Sequence, residues 1–297
     1  MSERNLSPFE GVFALLLTPF QPDGQIDWSC YDQYVDWQLS HQPQGLFTVC
    51  GSGEMNRLTL DERLALAKRT VQRAGKIPVV ATANIGPNYD THADEIAQMV
   101  DTGVAGIVLV LPEGLNQNQA QLEAYFGRLA DQASCPIILY EWPGVQPCEI
   151  EADVYGRLVS EHAIYGIKDT TCTLEGIQGK LDAAPNSIVY QANTPYLLKA
   201  VKNGTRGIMA ITSTAATDLL VEFWQAAIAE KVETATSLHQ QLVMLDAVLR
   251  FGYPASAKYL LQLRGLPFAL HCRSGSTLSQ EGAKAMSVWW GSVQSRS

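Results

Sequence analysis

Short, continuously apolar runs alternate along the chain with longer segments in which apolar residues recur every three or four positions. The short runs are GVFALLLTPF (Gly11–Phe20), GLFTVCG (Gly45–Gly51), IPVVATA (Ile77–Ala83), AGIVLVLP (Ala105–Pro112), CPIILYEWP (Cys135–Pro143), AIYGIKD (Ala163–Asp169), SIVYQA (Ser187–Ala192) and RGIMAIT (Arg206–Thr212). Apolar at successive positions and rich in Val and Ile, they read as parallel strands covered on both faces. The segments between them read as amphipathic helices. In LTLDERLALAKRTVQRAG, Thr59 is placed as an N-cap with Glu62 three residues on, a capping-box spacing. Leu64, Leu66, Ala67 and Val71 supply the apolar face, and Gly75 a stop. NYDTHADEIAQMVDTG and NQAQLEAYFGRLADQA follow the same pattern.

Strand and helix alternate eight times over the first three-quarters of the chain. This predicts a (β/α)₈ TIM barrel, a fold of about 250 residues. The competing arrangement is an open, doubly wound sheet, but no G-x-G-x-x-G follows the first strand, which weakens a dinucleotide site. Beyond about Ala229 the strands stop, and VETATSLHQQLVMLDAVLRFG, PASAKYLLQLRG and TLSQEGAKAMSVWWGSV read as helices. The predicted organisation is a barrel over residues 1–228 and a C-terminal helical extension over residues 229–297. With no low-complexity linker between them, the two are expected to dock tightly.

Composition narrows the function classes. The chain has 297 residues, 46% hydrophobic and 17% charged, enough to bury a large core without disulfides or metal. A formal net charge of −9 argues against broad binding of nucleic acid or anionic membrane, though one pocket can still be locally positive for an anionic substrate. No apolar run approaches a membrane span, and the polar start MSERNLSPFEG has no signal-peptide pattern. The six cysteines form no C-x-x-C pair and no His/Cys/Asp cluster has ligand spacing, so neither a metal nor an organic cofactor is expected, and a cytoplasmic location is.

Chemistry in a (β/α)₈ barrel gathers at the C-terminal ends of the strands. Lys168 ends the sixth predicted strand and Tyr140 the fifth. Adjacent parallel strands lie about 4.8 Å apart, so the two side chains can meet over the barrel mouth. A lysine has an ordinary pKa of about 10.4 and is protonated in water; desolvation favours the neutral amine, which attacks a ketone to form a Schiff base. The protonated imine is an electron sink for C–C cleavage, C–C formation or loss of water. A neighbouring tyrosine hydroxyl can relay protons as the imine forms and collapses. Taken singly, each residue has a plainer reading: a strand ending in a charge at the solvent boundary, and an aromatic ring in the core with a wet hydroxyl.

CGSGEMNRLTLDER, PIILYEWP and GIKDTT, in this order and spacing, with LLTPF and DGQID near the start and GTRGIMAI late, resemble the dihydrodipicolinate synthase / N-acetylneuraminate lyase family. These are class I, Schiff-base, pyruvate-related aldolases, lyases and dehydratases, and the resemblance spans nearly the whole chain. It implies that Lys168 is the Schiff-base lysine, that Tyr140 is the proton relay, and that Gly51 and Ser52, within Cys50–Glu54, hold the carboxylate of a 2-oxo acid. Met209 falls where the family lines the pocket floor, although a barrel-core role fits it equally. The resemblance also implies a homo-oligomer, dimer or tetramer, and a small-molecule 2-oxo acid as partner.

The departures restrict the reaction. Where synthases of the family carry Tyr-Asn-x-Pro-x-Arg, this chain has YEWPGV, so Glu141 replaces the asparagine and Val145 the arginine that helps bind the aldehyde substrate's carboxylate. Valine cannot make that bidentate contact. Gly114 stands where synthases carry a tyrosine that reaches a neighbouring subunit, and Gly51 where the loop has its first hydroxyl. Glu141 could serve as a general acid or base or accept hydrogen bonds from a sugar-like hydroxyl chain; equally, strand alternation sends it to the opposite face, against a surface arginine, and Asp169 after Lys168 has the same geometry. The expected activity is therefore a class I lyase that releases or adds pyruvate, or dehydrates a 2-keto-3-deoxy sugar acid. The alternatives are a genuine dihydrodipicolinate synthase and a non-catalytic 2-oxo acid binding protein on the same barrel.

Overall fold

The computed structural model of the protein describes residues 7–162 and 164–294. Ala163, the first residue of the sixth predicted strand, and the first six residues of the polar start lie outside the described residues. Eight parallel strands close on themselves in sequence order: β1 (Gly11–Leu15), β2 (Gly45–Thr48), β3 (Val79–Thr82), β4 (Gly106–Val110), β5 (Ile137–Tyr140), β6 (Ile164–Asp169), β7 (Ile188–Gln191) and β8 (Gly207–Ile208). Every consecutive pair is parallel, and β8 pairs back to β1 through Gly11↔Gly207 and Val12↔Ile208. The helices following the strands are α1 (Trp28–Ser40), α2 (Leu60–Ala74), α3 (His92–Val100), α4 (Gln119–Ala130), α5 (Ala152–Glu161), α6 (Leu174–Ala183), α7 (Leu197–Lys202) and α8 (Thr217–Ile228). This is the TIM barrel the alternation predicts.

Strand register explains how the barrel fills. Glycines on inward positions make room for aromatic rings from neighbouring strands. A Cβ on Gly45 would sit 2.2 Å from the Phe13 ring, and one on Gly207 would sit 2.3 Å from Tyr190. Phe13 and Tyr190 then meet edge to face at 5.6 Å, and the Tyr190 hydroxyl donates to the Phe9 carbonyl just before β1. These rings plug the N-terminal end of the barrel and leave the opposite end for chemistry.

Several predicted elements were too long. β1 stops at Leu15 and β8 has two residues, although both apolar runs continue. After β8 the chain turns into a 3₁₀ helix, Ile211–Thr214, whose Ser213 hydroxyl accepts from the Leu15 amide at 3.0 Å. A continuous apolar run does not distinguish strand from buried turn. In α2 the Thr59–Glu62 capping box is formed and Gly75 caps the end at φ +62°. Its predicted face is the inward one, with Leu66 and Ala67 buried and Leu64 and Val71 half-buried against the core, but Arg63 and Thr70 are buried beside it. Arg63 pairs with Glu95 of α3 at 3.0 Å and the Thr70 hydroxyl bonds the Tyr31 hydroxyl at 2.7 Å. Polar partners across the helix layer thus draw in positions that periodicity assigns to solvent.

Among the described residues three further helices follow, α9 (Val232–Leu249), α10 (Ala255–Leu263) and α11 (Gln280–Gln294). Leu242, Leu245, Leu260, Leu261 and Met286 on them belong to the same apolar cluster as the barrel residues. A buried charge also ties them to the loop after β2. The Lys258 ammonium meets the Glu54 carboxylate at 3.2 Å and donates to the His271 carbonyl at 2.6 Å, while the Ser274 amide donates to the other Glu54 oxygen at 2.7 Å. Among the described residues, no helix is long and apolar enough to cross a membrane.

Candidate active site

Lys168 and Tyr140 are partners in the β5–β6 register, side by side at the C-terminal end of the barrel. The Lys168 ammonium nitrogen lies 4.2 Å from the centroid of the Tyr140 ring and 5.2 Å from that of Phe47 on β2. Lys168 is 3% exposed, and among the described residues no carboxylate forms an ion pair with it. The two other buried lysines, Lys180 and Lys258, both face carboxylates. Burial without a counter-ion lowers the Lys168 pKa to about 8, the nearby Cys50 opposing the shift. About a tenth of the amine is therefore neutral at pH 7, rising toward half near pH 8. Burial also raises the Tyr140 hydroxyl well above its ordinary value, so the phenol keeps its proton and is available as a donor.

The loop after β2 approaches this pair. Gly51–Gly53 form a 3₁₀ turn in which the Gly53 and Glu54 amides close on the Cys50 and Gly51 carbonyls. The turn packs tightly against the end of β1: a Cβ on Gly53 would lie 2.8 Å from the Leu16 carbonyl oxygen, and the Thr18 hydroxyl donates to the Gly53 carbonyl at 2.7 Å. Ser52 is buried. A Cβ on Gly51 would sit 3.1 Å from the Trp142 indole nitrogen and 3.4 Å from the Tyr140 hydroxyl. The indole thus covers the position where a larger side chain at residue 51 would stand. Met209, two positions beyond Gly207 of β8, is fully buried.

Glu141 is not beside the reacting groups. It turns away from Tyr140 into the layer between sheet and helices, where it is fully buried. Neither is its partner a surface arginine. The Lys180 ammonium, from α6, meets Glu141 and Asp169 at 2.9 Å each. The Ile150 and Thr170 amides donate to the two Glu141 oxygens at 2.9 and 3.0 Å, so both oxygens are engaged. Burial raises the Glu141 pKa to about 7, with Asp169 adding to the shift and Lys180 opposing it. Burial also works against the Lys180 charge, but the two carboxylates more than offset it and raise its pKa. Glu141 and Asp169 directly follow Tyr140 and Lys168, so one buried lysine ties together the strand ends that carry both candidate catalytic groups.

Val145 lies on a cavity of about 470 Å³ at the same end of the barrel, together with Trp142, Asn56, Asn84, His92 and Glu113. No lysine or arginine is found among its described lining residues. Periodicity and motif spacing single out neither Trp142 nor Phe47, although Trp142 lies within the YEWP stretch. Tyr253, between α9 and α10, also reaches this end: its influence extends to Tyr140, and its hydroxyl neighbours those of Ser52 and Thr214. Nothing in the helical pattern of the C-terminal residues signals that. Among the described residues, no group of three or more His, Cys, Asp or Glu side chains could hold a metal ion.

Residues 8–287 match the sequence model of the dihydrodipicolinate synthetase family. The 4-hydroxy-tetrahydrodipicolinate synthase of Ralstonia nicotianae is 27% identical over 264 residues, covering 88% of this chain and 89% of that protein. The enzyme of the same name from Stutzerimonas stutzeri is 29% identical over 260 residues, covering 86% and 88%. Among solved structures, a prophage protein of the dihydrodipicolinic acid synthase family from E. coli K12, in complex with pyruvate, superposes with a TM-score of 0.90 at 22% identity, covering 96% of this chain and 99% of that one.

Proposed function

The chain belongs to the dihydrodipicolinate synthetase family, and from that premise we propose that it is a class I lyase in which Lys168 forms a Schiff base with pyruvate or another 2-oxo acid. One observation carries the reading: an amine that is buried, unopposed by any carboxylate among the described residues, and set against the phenol of the adjoining strand. The neutral Lys168 amine attacks the keto carbon; one amine proton reaches the oxygen by way of the Tyr140 hydroxyl, and a second, given by that hydroxyl and restored to it from solvent, lets the oxygen leave as water. The cationic imine then takes up the electron pair released when a C–C bond breaks, as in aldol cleavage, or when the carbon beside it loses a proton; the enamine formed in the second case returns that pair, either to attack an aldehyde in condensation or to expel the β-hydroxyl, which leaves with a proton as water, in dehydration of a 2-keto-3-deoxy sugar acid. Gly51 and Ser52 hold the carboxylate, and Met209 lies at the pocket floor.

The names of the curated relatives favour a second reading, condensation of pyruvate with aspartate semialdehyde by a genuine synthase. Val145 supports the first reading over it. By the resemblance it stands where that second carboxylate would need a cation, and a valine cannot make the charged bidentate contact. Sodium borohydride added with pyruvate is expected to leave a stable adduct on Lys168, located by peptide mass mapping. Turnover is then measured with 2-keto-3-deoxy sugar acids and with pyruvate plus aspartate semialdehyde. Efficient turnover of the latter pair would establish the second reading, and absence of an adduct with any 2-oxo acid would remove both in favour of a binding protein.

Two expected outcomes follow from the same geometry. The rate of adduct formation should rise with pH and level off above about 8, because the ammonium form below that value has no free electron pair. Well below it the rate should fall about tenfold per pH unit. Tyr140→Phe should slow adduct formation by roughly 10²-fold, within the range for loss of a positioned general acid–base group. Stopped-flow single turnovers matching the parent's would show that another group carries the proton.

A further inference from the structure

The Tyr253 hydroxyl is buried and has no hydrogen-bond partner among the described residues. Its nearest polar company is the hydroxyls of Ser52 and Thr214, so groups from three distant parts of the chain converge: the turn after β2, the 3₁₀ helix after β8, and the connection between α9 and α10. The Thr214 hydroxyl donates its own hydrogen to the Ile211 carbonyl at 2.7 Å and offers the phenol only an acceptor lone pair. A buried donor left unpaired costs about 1–3 kcal/mol, and such groups in folded proteins call for an explanation. The segment carrying it is fixed. Gly252 has φ +120°, and a Cβ there would lie 2.1 Å from the Thr277 carbonyl oxygen, so the backbone passes where no side chain fits. The Ser276 hydroxyl donates to the Gly252 and Tyr253 carbonyls at 2.9 Å each. The phenol is thus held in place by main-chain contacts while its hydroxyl makes no hydrogen bond of standard geometry to a described residue.

We infer that Tyr253 is a substrate-binding residue whose hydroxyl donates a hydrogen bond to the carboxylate of the 2-oxo acid held at Ser52. The inference rests on the Schiff-base reading above and adds a contact supplied by the C-terminal helices. Burial raises the phenol's pKa, so it stays protonated and can only improve as a donor when an anion arrives.

Two ketones and one conservative variant test it. Pyruvate carries the carboxylate; hydroxyacetone presents a ketone without one. Borohydride trapping is measured against concentration of each, for the parent and Tyr253→Phe. The half-saturating pyruvate concentration is expected to rise about tenfold or more in the variant, the scale of losing one hydrogen bond to a charged group. The value for hydroxyacetone should be unchanged, and the ligand-free thermal midpoint should not fall, because the hydroxyl removed had no partner. Unchanged pyruvate dependence with an intact Lys168 adduct overturns the assignment alone. So does an equal loss for both ketones, or a lowered midpoint, either of which marks a structural role. A parent that forms no adduct with either ketone overturns the Schiff-base reading and this assignment with it.

Discussion

Lys168→Ala should lower turnover by roughly 10⁴-fold or more and abolish the borohydride-trapped adduct, since it removes the nucleophile that every later step passes through. The fold should survive, because no carboxylate among the described residues loses a partner. Lys168→Met, which keeps more of the packed volume, should even be more stable than the parent at pH 7. The sign follows from the lowered pKa. In the unfolded chain this amine titrates near its ordinary value, and in the folded protein near 8, so below about 8 folding confines a charge in a poor environment. A shift of this size corresponds to about 3 kcal/mol. The penalty fades as pH rises from about 8 toward the unfolded value, because across that window the unfolded chain binds more protons. Thermal melts at pH 7 and above 10 should therefore show the variant's advantage shrinking. An active Lys168→Ala enzyme would contradict the mechanism; an advantage that grows with pH would contradict the account of the amine's environment.

Lys180→Met should have the opposite stability effect, and a large one. It leaves Glu141 and Asp169 facing each other in a fully buried layer with no cation between them. Removing one partner of a buried ionic group typically costs about 3–5 kcal/mol. For a chain of this length that is a fall of roughly 5–10 °C in thermal midpoint. Glu141 is already raised to about 7 with Lys180 present, and losing the cation raises it further. A carboxyl whose folded pKa exceeds its unfolded one binds more protons when folded, so stability falls as pH rises through that window. The deficit should be smaller at pH 5.5 than at pH 8, and Lys180→Met with Glu141→Gln should recover part of it. A midpoint independent of pH and equal to the parent's would show that the triad is not the tie between β5 and β6 described above.

The barrel was legible because its signals are local. Unbroken Val- and Ile-rich runs mark strands covered on both sides, and the Thr59–Glu62 spacing marks a helix start. The Lys168–Tyr140 pairing could be read for the same reason: two strand-end residues on consecutive parallel strands have few other places to go. Lys180 could not be read. In LEGIQGKLDA it looks like an ordinary solvated helix residue, and its burial exists only because two carboxylates converge from other strands. The same blind spot hid the true neighbours of Glu141. Alternation correctly gave the opposite face as one option, but a surface arginine was the wrong partner for it. Strand ends were overextended wherever apolar residues continue into turns held by side-chain hydroxyls, as at Ser213. Tyr253 was invisible because a tyrosine between two helices carries no periodic mark of the end of the barrel it visits.

Gly51 and Trp142 hold one small volume between them. A protein engineer restoring a hydroxyl-bearing residue at 51 would bring its Cβ against an indole. At 3.1 Å the half-buried indole has to give by a few tenths of an ångström, so what position 51 accepts is set by what stands at 142. Any laboratory path from this chain toward a relative with a bulkier residue at 51 therefore has to vary residue 142 alongside it.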